Sequence, residues 1–247
     1  MSCSSRNLRE AIGAIENGGR SHRSVVPFDI PALDGRLASG GLPTDALHEC
    51  AAASAGWGDD AAATLFMAGV AARTVGQVLW VARGRDLFAP ALYQVGLGPD
   101  RLIQAETRDD PETLAIIEDA LRHRGLGAVI GEVKRAGLTA TRRLQLATEG
   151  GTTLPFLLRR PVRVGEDPLA QPSAAATRWR IASVPSTPLA VAGVGRPRWR
   201  VELVRQRGGA PYAVELEACD ETGRCALAAE LADRPDRARR ADTRAAA

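Results

Sequence analysis

The sequence predicts an α/β fold in which a mostly parallel, twisted sheet is flanked by helices and extended by antiparallel strands on its carboxyl-terminal side. Three observations support this prediction. Short apolar runs alternate with helical segments between residues 46 and 158, which is the rhythm of a parallel sheet with helices on its faces. After Pro161 the pattern changes to short strands separated by turn residues. A length of 247 residues with 45% hydrophobic residues suffices for one large buried core.

The alternating part contains clear strand and helix signals. Residues 77–82 (QVLWVA) form a continuous apolar run, as in a buried strand. Asp110, Pro111 and Glu112 combine a capping residue, a first-turn proline and an acid at the positive end of the helix dipole. Gly125 is predicted to end that helix. In chain order we predict strands over 46–52, 77–82, 101–105, 127–133 and 153–158, and helices over 59–73, 90–95, 110–125 and 139–148.

The residue pattern changes after Pro161. Residues 163–177 contain two prolines and no periodicity, so they are predicted to form a loop. The run Gly208-Gly209-Ala210-Pro211 predicts a hairpin turn. We expect the strands around it to extend the sheet in antiparallel fashion. They are predicted over 178–184, 198–205, 212–218 and 225–231.

Composition divides the chain into an amino-terminal helix and linker (1–24), a core (25–232) and a tail (233–247). Leu8, Ile12 and Ile15 lie at helical spacing before the core. We expect this helix to fold back on its own domain, with docking on a partner as the alternative. The arginine- and alanine-rich tail is expected to be disordered.

The charge distribution argues against a dedicated nucleic-acid-binding protein. The net charge is +3, and the stretch from Arg234 to the end holds five arginines and two aspartates, so residues 1–233 sum to zero. A nucleic-acid-binding domain usually has a clear basic excess. Two interpretations of the tail stay open: Arg237, Arg239 and Arg240 attract DNA or an acidic partner, or the tail only keeps the chain in solution.

Cysteine, histidine and hydropathy patterns argue against three other classes. The four cysteines are too few for a disulfide scaffold, and only Cys219 and Cys225 are close in sequence, across a predicted turn at 220–223. Neither cysteines nor histidines have the spacing of a zinc site, so we expect reduced thiols and no metal. No apolar run approaches the ~18 residues of a membrane helix, and the amino terminus lacks a signal-peptide core. We expect a cytoplasmic protein.

Several short motifs follow one another in the order found in one known superfamily. Leu33-Asp34 and the turn Gly40-Gly41-Leu42-Pro43 precede the first strand, and Val95-Gly96-Leu97 follows the second. Residues 199–207 are similar to a late strand that ends in a basic signature. Together these motifs resemble the nucleotide-binding core of RecA-family ATPases over roughly residues 28–216. Within that superfamily the chain is similar to the ImuA family, RecA-like accessory proteins of a bacterial inducible mutagenesis cassette.

The phosphate loop implied by that resemblance is degenerate. In the motif G-x-x-x-x-G-K-[ST], backbone amides cradle phosphates, the lysine reaches the β and γ groups, and the hydroxyl binds magnesium. Here Ala53 replaces the first glycine, Gly58 keeps the second, Asp59 stands at the lysine position and Asp60 at the hydroxyl position. Lys134 is the only lysine in the chain, so we expect no local substitute. Two carboxylates at a helix amino terminus repel phosphates and are expected to act as helix caps.

Of the two other catalytic positions that the resemblance implies, one lacks its acidic residue and the other has it. No carboxylate precedes Asp86 after the strand at 77–82, where the superfamily places a catalytic acid. Glu132 stands at the position that resembles the Walker B acid, which binds a cation in active relatives. Without a phosphate loop, we favour a surface or hydrogen-bonded structural role for Glu132. The sequence therefore predicts a protein that is not an enzyme and holds no cofactor.

Three further side chains are candidates for contacts. Arg142 and Arg143 stand where RecA relatives carry a DNA-contacting loop and the helix after it, and arginines suit phosphate contacts. That segment lacks an aromatic residue to stack on bases, so a solvated helix face is favoured. Trp57 lies in the degenerate loop, where we expect it to fill the emptied pocket, with a partner surface as the alternative.

The resemblance implies a non-catalytic adaptor that acts at the bacterial nucleoid in the SOS response to DNA damage. It would support error-prone translesion synthesis by binding a Y-family-like polymerase homologue similar to ImuB. RecA and an error-prone replicative-type polymerase are further expected partners, and any DNA contact is expected to be weak or indirect. One alternative is a divergent RecA-like ATPase or recombinase that acts on single-stranded DNA through Glu132. The other is a cell-division inhibitor resembling SulA, against which the late strands after residue 198 argue.

Overall fold

The protein was analysed as a computed structural model that describes residues 24–84, 87–163, 165–189 and 192–228. The strands within these ranges are β1 (Val25–Val26), β2 (Leu42–Pro43), β3 (His48–Ala52), β4 (Val78–Arg83), β5 (Leu102–Thr107), β6 (Ala128–Val133), β7 (Leu154–Arg159), β8 (Thr177–Val184), β9 (Arg198–Gln206), β10 (Tyr212–Glu217) and β11 (Ala226–Leu227). The helices are α1 (Pro31–Asp34), α2 (Trp57–Ala72), α3 (Ala89–Tyr93), α4 (Asp110–His123) and α5 (Leu138–Thr148). The predicted alternation of strands and helices is confirmed.

A nine-stranded sheet organises the described residues. Its strand order is β11-β10-β9-β8-β3-β7-β6-β4-β5. The strands from β8 to β5 in this order run parallel, whereas β9, β10 and β11 run antiparallel to their neighbours. Every residue of the central strands β3 and β7 is buried, as expected when helices cover both faces of a parallel sheet. The predicted fold class is confirmed.

The direction of β8 differs from the prediction. We expected all strands after Pro161 to extend the sheet antiparallel, but β8 pairs parallel with β3, with His48 opposite Thr177 and Ala52 opposite Ile181. A parallel pairing needs a crossover of about a dozen residues or more. The loop over residues 160–176 is long enough to return the chain to the edge of the sheet where β3 begins. The antiparallel extension therefore starts only at β9.

Two hydrophobic clusters lie on opposite faces of the sheet. On one face α2 packs on the central strands through Phe66 and Met67, together with Trp179 and Trp199. The rings of Phe66 and Trp179 have centroids 5.9 Å apart. On the other face, α4 and α5 cover the sheet with a second cluster, made by Ile117, Leu121, Leu144, Val81, Val129 and Leu157. The core thus consists of three layers, with the sheet in the middle.

The helix α4 begins at the predicted residue and ends two residues earlier than predicted. Asp109, and not Asp110, is the N-cap, because its carboxylate accepts the backbone N–H of Glu112 at 2.9 Å. The Asp110 carboxylate instead accepts the backbone N–H of Arg135 at 2.8 Å, which ties the helix to the segment after β6. At the other end Arg124 adopts a left-handed conformation with φ of 54°, so the helix stops before Gly125.

Some predictions lie outside the described residues. They concern the helix over 6–17 with Leu8, Ile12 and Ile15, and the tail arginines Arg237, Arg239 and Arg240. The last predicted strand, 225–231, is described up to residue 228 and is paired at Ala226–Leu227. Among the described cysteines, Cys219 and Cys225 flank the predicted turn, with their sulfur atoms 3.2 Å apart, and both are free thiols.

A buried carboxylate lies within the sheet. Glu49 of β3 is 0% exposed, and its Oε2 accepts a hydrogen bond from Nε of Arg178 at 2.7 Å. Arg159 of β7 lies on its other side, with Nη1 3.8 Å from Oε1 of Glu49, and donates to the carbonyl oxygen of Ala136. Burial lowers the pKa of Arg159 and Glu49 raises it, with burial prevailing. One carboxylate therefore compensates two buried guanidinium groups in the middle of the sheet.

Substitution of Glu49 by Gln is expected to lower the free energy of unfolding by on the order of 3 kcal/mol, because two buried cations lose their counter-ion. Glu202→Gln is the matched control. Glu202 pairs at 3.1 Å with Arg180, which lies two residues after Arg178 in β8. Both side chains of this pair are partly exposed. Its loss should cost less than about 1 kcal/mol. Urea denaturation measures both values, and equal losses would contradict the role of burial.

His48 is buried within a chain of hydrogen bonds, and its burial favours the neutral imidazole. The imidazole is completely buried, and its Nε2 lies 2.9 Å from the carbonyl oxygen of Pro43, so Nε2 carries the proton. Its Nδ1 lies 2.7 Å from the hydroxyl of Thr177, which in turn accepts from the indole N–H of Trp179. Burial lowers the pKa of His48 from 6.5 to about 4, against a smaller opposing effect of the Pro43 carbonyl.

The stability of the fold is therefore expected to fall as the pH drops from about 6.5 to about 4. In this window the unfolded chain takes up a proton on His48 while the folded chain does not. The gap between the two pKa values corresponds to about 3 kcal/mol at its low-pH limit. Denaturation curves at a series of pH values measure the slope. A His48→Gln variant should lack this component, and an unchanged slope in the variant would refute the assignment.

Candidate functional site

A polar cavity of about 600 Å³ lies at the carboxyl edge of the parallel strands. Its lining includes the loop after β3 and the residues that follow β4, β6 and β7, because parallel strands end at the same edge. Open α/β sheets bind their ligands at this edge. The loop over residues 53–60, where the sequence predicts a degenerate phosphate loop, is part of this site.

Hydrogen bonds of its own side chains stabilise the segment over residues 53–60. The helix α2 begins at Trp57, and Gly56 is its N-cap. Asp59 does not cap the helix. Its Oδ1 accepts the backbone N–H of Ser183 at 2.7 Å and its Oδ2 accepts the hydroxyl of Ser54 at 2.6 Å. The expectation that Asp59 and Asp60 act as helix caps is wrong, because their carboxylates bind groups outside the helix.

Arg160 joins the loop to the sheet. Its guanidinium forms an ion pair with Asp60 and donates from Nε to Oε2 of Glu132 at 2.9 Å. Its Nη2 also lies 3.3 Å from the hydroxyl of Thr64. The side chain of Arg160 is only 20% exposed. Burial lowers the pKa of Arg160, but Glu132 and Asp60 outweigh burial and hold that pKa above its ordinary value.

Glu132 is engaged on both of its oxygen atoms. Oε2 binds Arg160, and Oε1 accepts the indole N–H of Trp80 at 2.7 Å. Its side chain is 12% exposed. The hydrogen-bonded structural role that we favoured for Glu132 agrees with these contacts. Both oxygen atoms of Glu132 are therefore engaged by side chains of the protein itself.

The arrangement resembles a metal site in which a guanidinium group of the protein takes the place of the metal ion. In a phosphate-loop enzyme, a hydroxyl after the lysine and an acid on a neighbouring strand hold Mg²⁺ near the phosphates. Here Asp60 and Glu132, which the motif resemblance assigns to these two positions, hold the guanidinium of Arg160 between them. We call these three residues the Arg160 cluster. Sequence motifs did not reveal it, because Arg160 belongs to none of them.

Other basic side chains line the same cavity. Arg83, Arg108 and Lys134 belong to its lining, and Arg108 is paired with Glu112 at 3.1 Å. We expected no local substitute for the missing lysine, and the structure places the single lysine of the chain in the lining of this cavity. Lys134 directly follows β6, and the carboxyl ends of β6 and β3 lie at the same edge of the sheet. The order of the strands could have revealed this position.

Trp57 does not fill the cavity, contrary to the favoured prediction. It is 93% exposed, because α2 begins two residues earlier than expected and Trp57 is its first residue. The space beneath the loop is taken by the Arg160 cluster. Trp57 lines instead a second cavity, of about 480 Å³, between α2 and the segment that includes α3.

Arg142 and Arg143 lie on an exposed face of α5. Arg143 is engaged with Glu118 of α4 at 2.6 Å, and Arg122 binds the same carboxylate at 2.5 Å. Arg142 is exposed. These positions agree with the solvated helix face that we favoured, while contact with DNA stays a prediction.

The described residues contain no group of three or more histidine, cysteine or acidic side chains that could hold a metal ion. Among the same residues, no helix is long and apolar enough to cross a membrane.

Comparison with known proteins gives one clear relationship. No model of a known protein family matches the chain. It is, however, similar to the curated protein "Protein ImuA" of two strains of Caulobacter vibrioides, NA1000 / CB15N and ATCC 19089 / CIP 103742 / CB 15, at 44% identity over 214 residues. The match covers 83% of this chain and 87% of each relative. The chain belongs to the ImuA family. The resemblance to the ImuA family seen in the motifs is thus confirmed.

Removal of the Arg160 guanidinium should destabilise this member of the ImuA family. In Arg160→Ala, two carboxylates lose the cation that they share, and we expect a loss of about 2 to 4 kcal/mol in the free energy of unfolding. The exposed Arg163 is the control, since Arg163→Ala should change stability by less than about 0.5 kcal/mol. The Arg160→Ala variant should also gain a binding site for divalent cations. Because Asp60, Glu132 and Thr64 offer only oxygen atoms once the guanidinium is removed, millimolar Mg²⁺ or Ca²⁺ should raise the melting temperature of Arg160→Ala and not that of Arg163→Ala. Equal effects of the cations on both variants would contradict the interpretation.

Proposed function

We propose that this member of the ImuA family is a non-catalytic, RecA-like adaptor in the bacterial DNA-damage response. It would support error-prone translesion synthesis by binding a Y-family-like polymerase homologue, the ImuB protein. The observation that carries the proposal is the Arg160 cluster, in which a guanidinium lies between Asp60 and Glu132. An adaptor needs a stable surface, and it does not need a nucleotide to be bound and hydrolysed.

The electrostatics of the loop support the absence of an ATP cycle. A unit charge about 4 Å from a phosphate is worth roughly 4 kcal/mol at an effective dielectric constant near 20. Asp59 stands at the position of the attractive lysine and is fixed there by Ser54 and Ser183. Arg160, the nearest buried cation, is neutralised by two carboxylates. The loop therefore repels a triphosphate where an active relative attracts it.

The partners of the adaptor follow from the family. The ImuB protein is the main partner in this proposal, with RecA and an error-prone replicative-type polymerase as further partners. Contact with DNA would be weak or indirect. The absence of a basic excess over residues 1–233 supports this, because the charge of +3 comes from the tail.

A divergent ATPase is the second candidate, and one observation favours it. Lys134 and Arg83 line the cavity of about 600 Å³ at the carboxyl edge of the sheet. A nucleotide that entered from this side could use these two cations in place of the missing lysine. Its phosphates would still face the carboxylates of Asp60 and Glu132, which line the same cavity.

The binding of ATP separates the two candidates. We expect the purified chain to show no binding of ATP with Mg²⁺ at micromolar concentrations in equilibrium dialysis with labelled nucleotide. Asp59→Lys should not restore binding, because Arg160 still takes up both Asp60 and Glu132. Micromolar affinity that is lost in Lys134→Ala would contradict the adaptor without a nucleotide and favour the second candidate, and Arg163→Ala controls for the loss of one positive charge.

The adaptor function itself is tested by assembly. The chain and the ImuB homologue from the same genome should elute together in size-exclusion chromatography, with or without ATP. Separate elution of the two purified proteins under both conditions would contradict the adaptor.

A further inference from the structure

A largely apolar groove lies between α2 and the segment that includes α3, and the Arg160 cluster forms part of its lining. Trp57 and Leu65 of α2 form one wall, and Leu87 and Phe88, which precede α3, form the other. Leu92 of α3 is buried and contributes to the floor. The volume of about 480 Å³ lies within the range of about 300–1,000 Å³ that is typical of binding sites. We call this feature the Trp57 groove.

The exposure of the aromatic side chains at this groove is unusual for the chain. Trp57 is 93% exposed and Phe88 is 69% exposed, whereas Trp80, Trp179 and Trp199 are at most 2% exposed. Single exposed apolar residues are ordinary, but aromatic residues that share the lining of one cavity mark an interaction site. Tryptophan is also among the residues that contribute most to protein–protein affinity.

The charges at the groove define what it can bind. Its charged lining consists of Asp60, Glu132 and Arg160, a net charge of −1. All of the contacts of Arg160 described above are made inside the protein, whereas the side chain of Asp60 stays 47% exposed. A positively charged group can therefore approach Asp60, and a phosphate or another anion is repelled.

From these features, we propose that the Trp57 groove binds a segment of a partner protein in which a bulky apolar side chain is adjacent to lysine or arginine. The apolar side chain enters between Trp57 and Phe88. The basic side chain pairs with Asp60 and lies near the indole ring, which also favours a cation. This proposal rests on the adaptor function and deepens it, since the loop that no longer suits phosphate presents a protein-binding surface.

A display library of random peptides, selected on the full-length chain, tests the proposal. We expect the enriched peptides to combine an aromatic or leucine side chain with a neighbouring lysine or arginine. Synthetic copies should shift the emission of Trp57, because the other three tryptophans are buried. Affinity should fall at least about tenfold in Trp57→Ser and in Phe88→Ser, and should also fall with added salt.

Val75→Ser is the matched control, since Val75 is 94% exposed and is not in the lining of the groove. It should bind the peptides as the unchanged chain does. Any of three results would overturn the proposal: no enriched peptide, enriched peptides that are acidic, or peptides whose affinity is equal for the chain and its Trp57→Ser variant. Sedimentation that shows a dimer dispersed by Trp57→Ser would also overturn it, because a second copy would then occupy the groove.

Co-elution with the ImuB homologue distinguishes the adaptor proposal from the proposal on the Trp57 groove. If the homologue elutes with the unchanged chain and with Val75→Ser but not with Trp57→Ser, both the adaptor and the groove are supported. If it elutes equally with all three, the adaptor stands and the groove proposal fails. If it elutes with none while the selected peptides bind at Trp57, the groove stands as a peptide site and the adaptor for this partner fails.

Discussion

The ion pairs of Arg160 determine the shape of the carboxyl edge of the sheet. Arg160 directly follows β7, and it connects Asp60 at the start of α2 with Glu132 at the end of β6. Asp59 adds a connection to Ser183 at the end of β8. The first turn of α2 is therefore held by the side chain of Arg160, which Glu132 fixes in turn, and by the backbone N–H of Ser183.

This internal bracing has a consequence for recognition. A loop that is ordered by a ligand changes when the ligand leaves, whereas a loop ordered by buried ion pairs keeps one conformation. Trp57, the first residue of α2, is thereby presented at a fixed position outside the cluster. A preformed surface binds a partner without the entropic cost of ordering a loop, which suits the proposed adaptor.

The sequence predicts the order and type of the elements well, because the apolar runs and the helix signals are local. The long-range features were missed for the same reason. Arg160 is 28 residues from Glu132 and 100 residues from Asp60 in sequence, so no motif connects them. The direction of β8 depends on where the preceding loop leads the chain, and the outward position of Trp57 depends on where α2 begins. At the candidate site, the sequence pointed to the segment over residues 53–60, but the partners of Asp59 and Asp60 came only from the structure.

The turn between β10 and β11 lies in close contact with the helical layer. A Cβ atom at Gly69 of α2 would overlap the sulfur atom of Cys219, and one at Gly96, where φ is +86°, would lie 2.9 Å from the carbonyl oxygen of Glu221. The ring of Trp199 on β9 also meets Phe66 of α2 edge to face. The late strands are thus not a detachable module. A fragment shortened after β8 would lose the contacts of Trp199 and Cys219 with α2, and part of the apolar face of that helix would meet water.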